Sequence, residues 1–226
     1  MSEPTSPSIQ LPPWANRFRS IVIEGPIGVG KSSLALKFAS RFGYTPLLEA
    51  PQENPFLAKF YRDSARYALP TQLFFLFQRI DQLRELAQRD MFNENIVSDF
   101  MIDKDPLFAR LTLSDEELAL YRKIFDAQRP HAPIPDLVIV LQASADTLIE
   151  RIRQRGVPME QHMSEDYLRR LSETYTDFFY HYETAPVLFV NTEQLNPIER
   201  DEDFETLIQQ IAQFRGRRSF FNALNS

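Results

Sequence analysis

The chain contains no cysteine among its 226 residues. That excludes disulfides, thiolate-bound zinc and a cysteine nucleophile, and it accords with a reducing, cytoplasmic setting. Histidine is scarce, since His131, His162 and His181 are the only three imidazoles and lie scattered along the chain. No uninterrupted apolar run approaches the ~20 residues that span a bilayer, so no membrane partner is expected. Positive charge is also in deficit. A formal charge of −6 and a pI near 5.2 lack the basic footprint of a nucleic-acid binder, so no nucleic acid is expected and an anionic ligand has to be attracted locally. Glycine is sparse too, yet of the six glycines three fall close together, at Gly25, Gly28 and Gly30.

What is present is enough for one compact domain with a real core, since 43% of the residues are hydrophobic. Residues 1–18, rich in Pro and Ser, are expected to form a flexible leader, and 19–226 a single domain. Apolar runs ending in turn or polar residues predict strands at "RSIVIEG" (19–25), "TPLLEAP" (45–51, ending at Glu49), "NIVSDF" (95–100), "DLVIVLQA" (136–143) and "PVLFVN" (186–191). Helical patterns lie between them, at 31–42, 53–67, 70–90 (opened by Pro70), after "SDEE", at 144–156, at about 165–183 and near the C-terminus. Alternating buried strands and helices predict an α/β fold, with a parallel sheet covered on both faces. "RGRRSFF" (215–221) mixes basic and aromatic residues and is expected to dock on the protein's own fold or on a partner subunit.

Gly25, Gly30, Lys31 and Ser32 satisfy G-x-x-x-x-G-K-[ST] between a strand and a helix. Glycines let the backbone wrap phosphate oxygens, and the helix N-terminus offers unpaired amides. Lys31 can reach the β and γ phosphates of a nucleotide, and Ser32 can ligate magnesium. Gly28 and Ser33 complete the expected ATP cradle.

The loop, followed by "LLEAPQENPFLAKFY", "TQLFFLFQR" and "RIRQRG", resembles the deoxyribonucleoside kinase family from about residue 20 to 190. The bacterial deoxyadenosine and deoxyguanosine kinases are the nearest members in pattern. The resemblance implies a P-loop kinase fold with a five-stranded parallel sheet and an arginine-bearing lid, here about 151–164. It also implies a homodimer and transfer of a phosphoryl group from ATP, with Mg2+, to the 5′-hydroxyl of a deoxynucleoside, with a purine favoured.

Independent chemistry supports several positions. A strand-end carboxylate such as Glu49 can accept a hydroxyl proton, and the resemblance makes it the catalytic base. Gln72 and Arg79 share a helix face at seven residues' spacing. By resemblance they read the base, while Tyr61 and Glu160 hold the sugar 3′-hydroxyl. Phe75 and Phe100 are the aromatic candidates for flanking a base. Arg151 and Arg155, four apart, match the lid arginines that neutralise the transferring group.

Asp99 ends the third strand. By general phosphate-loop logic it is a magnesium-associated acid, whereas the resemblance puts it in the base-binding region beside Arg79, and the latter is the expectation taken here. The chain departs from the family in lacking an E-R-S segment and an arginine after Asp99, where Phe100 stands. Glu94 and Asp103 are then candidates for the second magnesium-linked acid.

Two alternatives compete. A thymidylate-kinase-like enzyme shares sheet and loop but must grip an acceptor phosphate. Here the second strand ends in a carboxylate, and no arginine lies between that strand and Arg62. A non-catalytic ATP-binding module needs only the loop and leaves Tyr61, Gln72, Arg79 and Glu160 without a purpose.

Overall fold

The computed structural model describes residues 11–88, 94–128 and 132–222. Its elements alternate. β1 (Ser20–Glu24) leads through the glycine loop to α1 (Lys31–Phe42), then β2 (Thr45–Leu47), α2 (Leu57–Phe60), α3 (Ser64–Gln88) and β3 (Ile96–Ser98). There follow α4 (Asp105–Thr112), α5 (Asp115–Gln128), β4 (Leu137–Gln142), α6 (Ala145–Arg155), α7 (Glu165–His181), β5 (Val187–Asn191), α8 (Asp201–Gln213) and β6 (Arg218–Phe221). The sheet order is β2-β3-β1-β4-β5-β6, and every pair is parallel.

Strand periodicity divides the core. Ile21 and Ile23 turn to one face, where α1, α6 and α8 bring Leu34, Phe38, Leu148, Phe204 and Leu207. Val22 turns to the other, which α7 covers with Leu171, Tyr175 and Phe179 against Val138, Val140 and Phe189. β1 lies between β3 and β4, so the chain leaves it toward α1 at the carboxyl edge where a doubly wound sheet opens a crevice for ligands.

The sheet holds one strand more than expected. β6 comes from the "RGRRSFF" cluster and pairs with β5 in the register Phe189↔Phe220, the two rings stacking at 4.7 Å. Its arginines concealed the strand. Arg218 donates to the Tyr182 carbonyl at 3.0 Å and Arg217 to that of Glu183, so basic groups anchor the edge to the fold.

Part of the expected leader is also core. Trp14 and Phe18 are buried, with Trp14 edge-on to Phe42 at 5.1 Å, and Arg17 donates to the Phe214 carbonyl at 2.6 Å. A large indole gains more from burial than this short segment loses in freedom. Residues 1–10 lie outside the described residues.

A third difference affects the site. α3 runs unbroken through Pro70, which was expected to open it, and the only helix in 53–67 before α3 is the four-residue α2. Proline removes the N–H that would bond to Arg66, one bond near the start of a 25-residue helix. Gln72, Phe75 and Arg79 all lie on this one helix and line the same cavity as Tyr61.

Candidate active site

The glycine loop needs its glycines. Gly25, Gly28 and Gly30 all have positive φ, at +146°, +88° and +102°, and a Cβ on Gly25 would lie 2.5 Å from the Leu141 carbonyl oxygen. α1 begins at Lys31 with no side-chain cap and no acid in its first turn, so its amides and dipole are left for an anion. Lys31 Nζ meanwhile donates to the Gly25 and Pro26 carbonyls at 2.8 and 3.2 Å. Burial, reinforced by Lys104 and opposed by Glu24, Glu49 and Asp99, lowers the Lys31 pKa to about 8.

Ser32 Oγ donates to Asp99 Oδ2, and Asp99 Oδ1 accepts from the Glu49 amide at 2.8 Å. Asp99 shares a cavity with Arg79, but its carboxylate is engaged by the loop serine and the Glu49 amide. The residue just beyond β3 turns toward the loop serine beside the phosphate cradle, and the acid paired with Arg79 is Asp105 at the start of α4. The alternative acids fall away from the loop, since Glu94 bonds the Thr45 hydroxyl at 2.9 Å and Asp103 lines a separate hollow.

Glu49 stands two residues beyond β2. α3 fixes this segment, Gln82 donating to the Leu48 carbonyl at 2.7 Å and Gln78 to that of Ala50 at 3.3 Å. Arg79 Nε donates to Glu49 Oε1 at 2.6 Å, Nη2 pairs with the same oxygen, and Lys104 Nζ stands 3.7 Å from it. Burial alone would raise the Glu49 pKa, but Arg79, Lys104 and Lys31 outweigh it and hold the carboxyl at about 2.

Glu49, Arg79, Gln72, Tyr61, Asp99 and Glu160 line one cavity of about 160 Å³ with Gly28, Gly30, Lys31, Ser32, Ser33, Phe75 and Arg155. Gln72 and Arg79 are buried. Arg155 donates to both Glu160 oxygens at 2.7 Å, joining the end of α6 to the turn Pro158–His162. Burial, with Tyr167 and Glu160 nearby, raises the Tyr61 pKa, so its hydroxyl keeps its proton and can donate.

Two residues stand elsewhere. Phe100 lines a different hollow. Arg151 does not accompany Arg155 into the cavity. Its guanidinium bonds the Thr192 hydroxyl and carbonyl at 3.0 and 2.6 Å, on the wall of a second hollow that shares Gly28, Gly30, Ser33 and Arg155. The glycine loop thus separates two spaces, with Arg155 at the rim of both.

Sequence reasoning missed three charged residues. Glu24, Lys104 and Asp105 are each at most 1% exposed. Glu24 carried a visible signal, being a carboxylate that ends a run of apolar strand residues directly before the loop. Lys104 and Asp105 lie in a stretch without periodicity.

The deoxynucleoside kinase family model matches residues 21–215. The chain is 32% identical over 196 residues to a deoxyguanosine kinase of Bacillus subtilis, covering 84% of this chain and 95% of that protein. It is 30% identical over 200 residues to a deoxyadenosine/deoxycytidine kinase of the same organism, covering 85% and 91%. A solved structure of deoxyadenosine kinase from M. mycoides, with the products dCMP and a flexible dCDP bound, superposes with a TM-score of 0.75 at 25% identity, covering 86% of this chain and 99% of that one. A match to this family removes the thymidylate-kinase-like and non-catalytic alternatives. The chain belongs to the deoxynucleoside kinase family and is an enzyme of that kind.

Proposed function

We propose that this kinase transfers the γ-phosphoryl group of ATP to the 5′-hydroxyl of a purine deoxynucleoside. The observation that carries the reading is the position of Glu49, an ionised carboxylate in the same cavity as Lys31 and Ser32 of the phosphate loop. Such a wall repels an acceptor that already bears phosphate but suits a neutral hydroxyl.

In this reading the loop amides and Lys31 hold the donor phosphates, with Lys31 exchanging its loop carbonyls for phosphate oxygens. Glu49 receives the hydroxyl proton through Oε2, because Arg79 and Lys104 both engage Oε1. Gln72 presents an amide to the base, with Arg79 and Asp105 setting its surroundings, and Tyr61 and Glu160 hold the sugar. Arg155 reaches the transferring group from the rim, and Arg151 shapes the hollow for the donor nucleoside.

Mg2+ fits the donor set. Ser32 hydroxyl and Asp99 carboxylate already meet beside the loop, and hard oxygen ligands of this kind suit the ion. Bound there, it would neutralise phosphate charge. Preference for a purine is supported by the deoxyguanosine and deoxyadenosine kinases among the relatives.

The test is ADP formation from ATP and Mg2+ with each deoxynucleoside, each ribonucleoside and each deoxynucleoside monophosphate. Turnover is expected with deoxyguanosine or deoxyadenosine above the pyrimidines, and none with monophosphates. Faster turnover of pyrimidines would overturn the base preference, and turnover of monophosphates alone would overturn the acceptor.

A further inference from the structure

Lys104 is 1% exposed, in a family of side chains that is almost never fully buried without a partner. Its Nζ lies 3.0 Å from Glu24 Oε1 and 3.7 Å from Glu49 Oε1. Glu24 ends β1 beneath the phosphate loop. It is also held by the Met101 amide at 3.0 Å, the Gly25 amide at 3.3 Å and the Tyr175 hydroxyl at 3.4 Å. One ammonium therefore connects an acid bonded to the first residue of the loop with an acid on the acceptor wall.

The adjoining residue extends the connection. Asp105 pairs with Arg79, so consecutive residues at the start of α4 grip opposite members of the Glu49–Arg79 pair. A lysine needed only to neutralise Glu24 has no reason to stand within ion-pair range of Glu49 as well. We propose that Lys104 is a positioning residue for phosphoryl transfer, its ammonium fixing the Glu49 carboxylate relative to the phosphate loop through Glu24. The proposal rests on Glu49 being the base.

The charged and titratable groups around it come from every packed element: Glu24 from β1, Lys31 from α1, Glu49 after β2, Arg79 from α3, Asp99 after β3, Asp105 from α4 and Tyr175 from α7. Lys31 is assigned to the donor phosphates and Arg79 is divided between Glu49 and Asp105. That makes Lys104 the cation best placed to hold the base while the donor occupies the loop.

The experiment compares Lys104→Met with Glu24→Gln/Lys104→Met, reading kcat, both KM values and the melting temperature. Glu49→Gln is measured in parallel. A kcat about 10- to 100-fold lower is expected for Lys104→Met, with both KM values within about threefold. The double variant removes the orphaned acid, so its melting temperature recovers, but kcat stays lowered with both KM values little changed.

Wild-type kcat in either Lys104 variant would overturn the proposal, because the lysine would then serve only to neutralise Glu24. If Glu49→Gln keeps full turnover, the base assignment itself fails, whatever the Lys104 variants do. Failure of the proposal and failure of the reading beneath it are thus separate results.

Discussion

The two faces of the sheet differ in what they bury beside their apolar clusters. On the α1 and α8 face, Trp14, Phe38, Phe42, Tyr44 and Phe204 form a cluster of stacked, tilted and edge-on rings, with Phe38 fully buried. The face under α3, α4 and α7 buries Glu24, Arg79, Asp99, Lys104 and Asp105. Aromatic burial is forgiving of direction and stabilises by area, whereas buried charges stabilise weakly after desolvation but fix geometry. Both faces are held by apolar clusters, but the buried charge, and with it the chemistry, belongs to the second. The phosphate loop, leaving the central β1, joins the two.

Two substitutions break this comparison if it is wrong. Glu49→Gln is isosteric and leaves Arg79 paired with Asp105, so it should lower kcat by about 10²- to 10⁴-fold with little change in the nucleoside KM. Steady-state kinetics with saturating donor checks this. Phe38→Ala should do the converse. It opens a cavity among four rings and should cost about 3–5 kcal/mol in urea unfolding, while kcat and both KM values at low temperature stay near wild type. A Phe38→Ala variant that folds stably but has lost turnover would show that the aromatic face carries catalytic geometry after all.

The same division explains what could be seen in the sequence. The aromatic face and the central strands follow periodicity, which is local, and the loop is a contiguous motif whose glycines announce their backbone. Tyr61, Gln72, Arg79, Arg155 and Glu160 were legible because their types and spacing matched a family, and the cavity does bring them together. Asp99 and Asp105 could not be told apart in this way. Both are acids in one aperiodic stretch, and only the turn after β3 decides that the first meets Ser32 and the second Arg79. Lys104 was invisible because a lysine is by default a surface residue. β6 was hidden for a related reason: docking on the fold was expected of the cluster, but its arginines interrupt the apolar run that marks a strand, and they anchor to backbone carbonyls.

The smallest expected effect probes the junction of the two faces. With its pKa lowered to about 8, Lys31 in the free enzyme is about half neutral at pH 8. Donor phosphates supply negative charge and acceptor oxygens, which favour the ammonium and raise that pKa. A pKa that rises on binding means proton uptake, so ATP binding at pH 8 should take up about half a proton per site, fading toward zero below about pH 7. Calorimetric titrations in buffers of different ionisation enthalpy measure this directly. Lys31→Met should abolish the uptake together with most of the affinity, while Phe38→Ala should leave it intact. Proton release at pH 8, or uptake that survives in Lys31→Met, would show that another group in the charged face titrates, and Glu24, whose pKa burial raises despite Lys104, would be the first to substitute with glutamine.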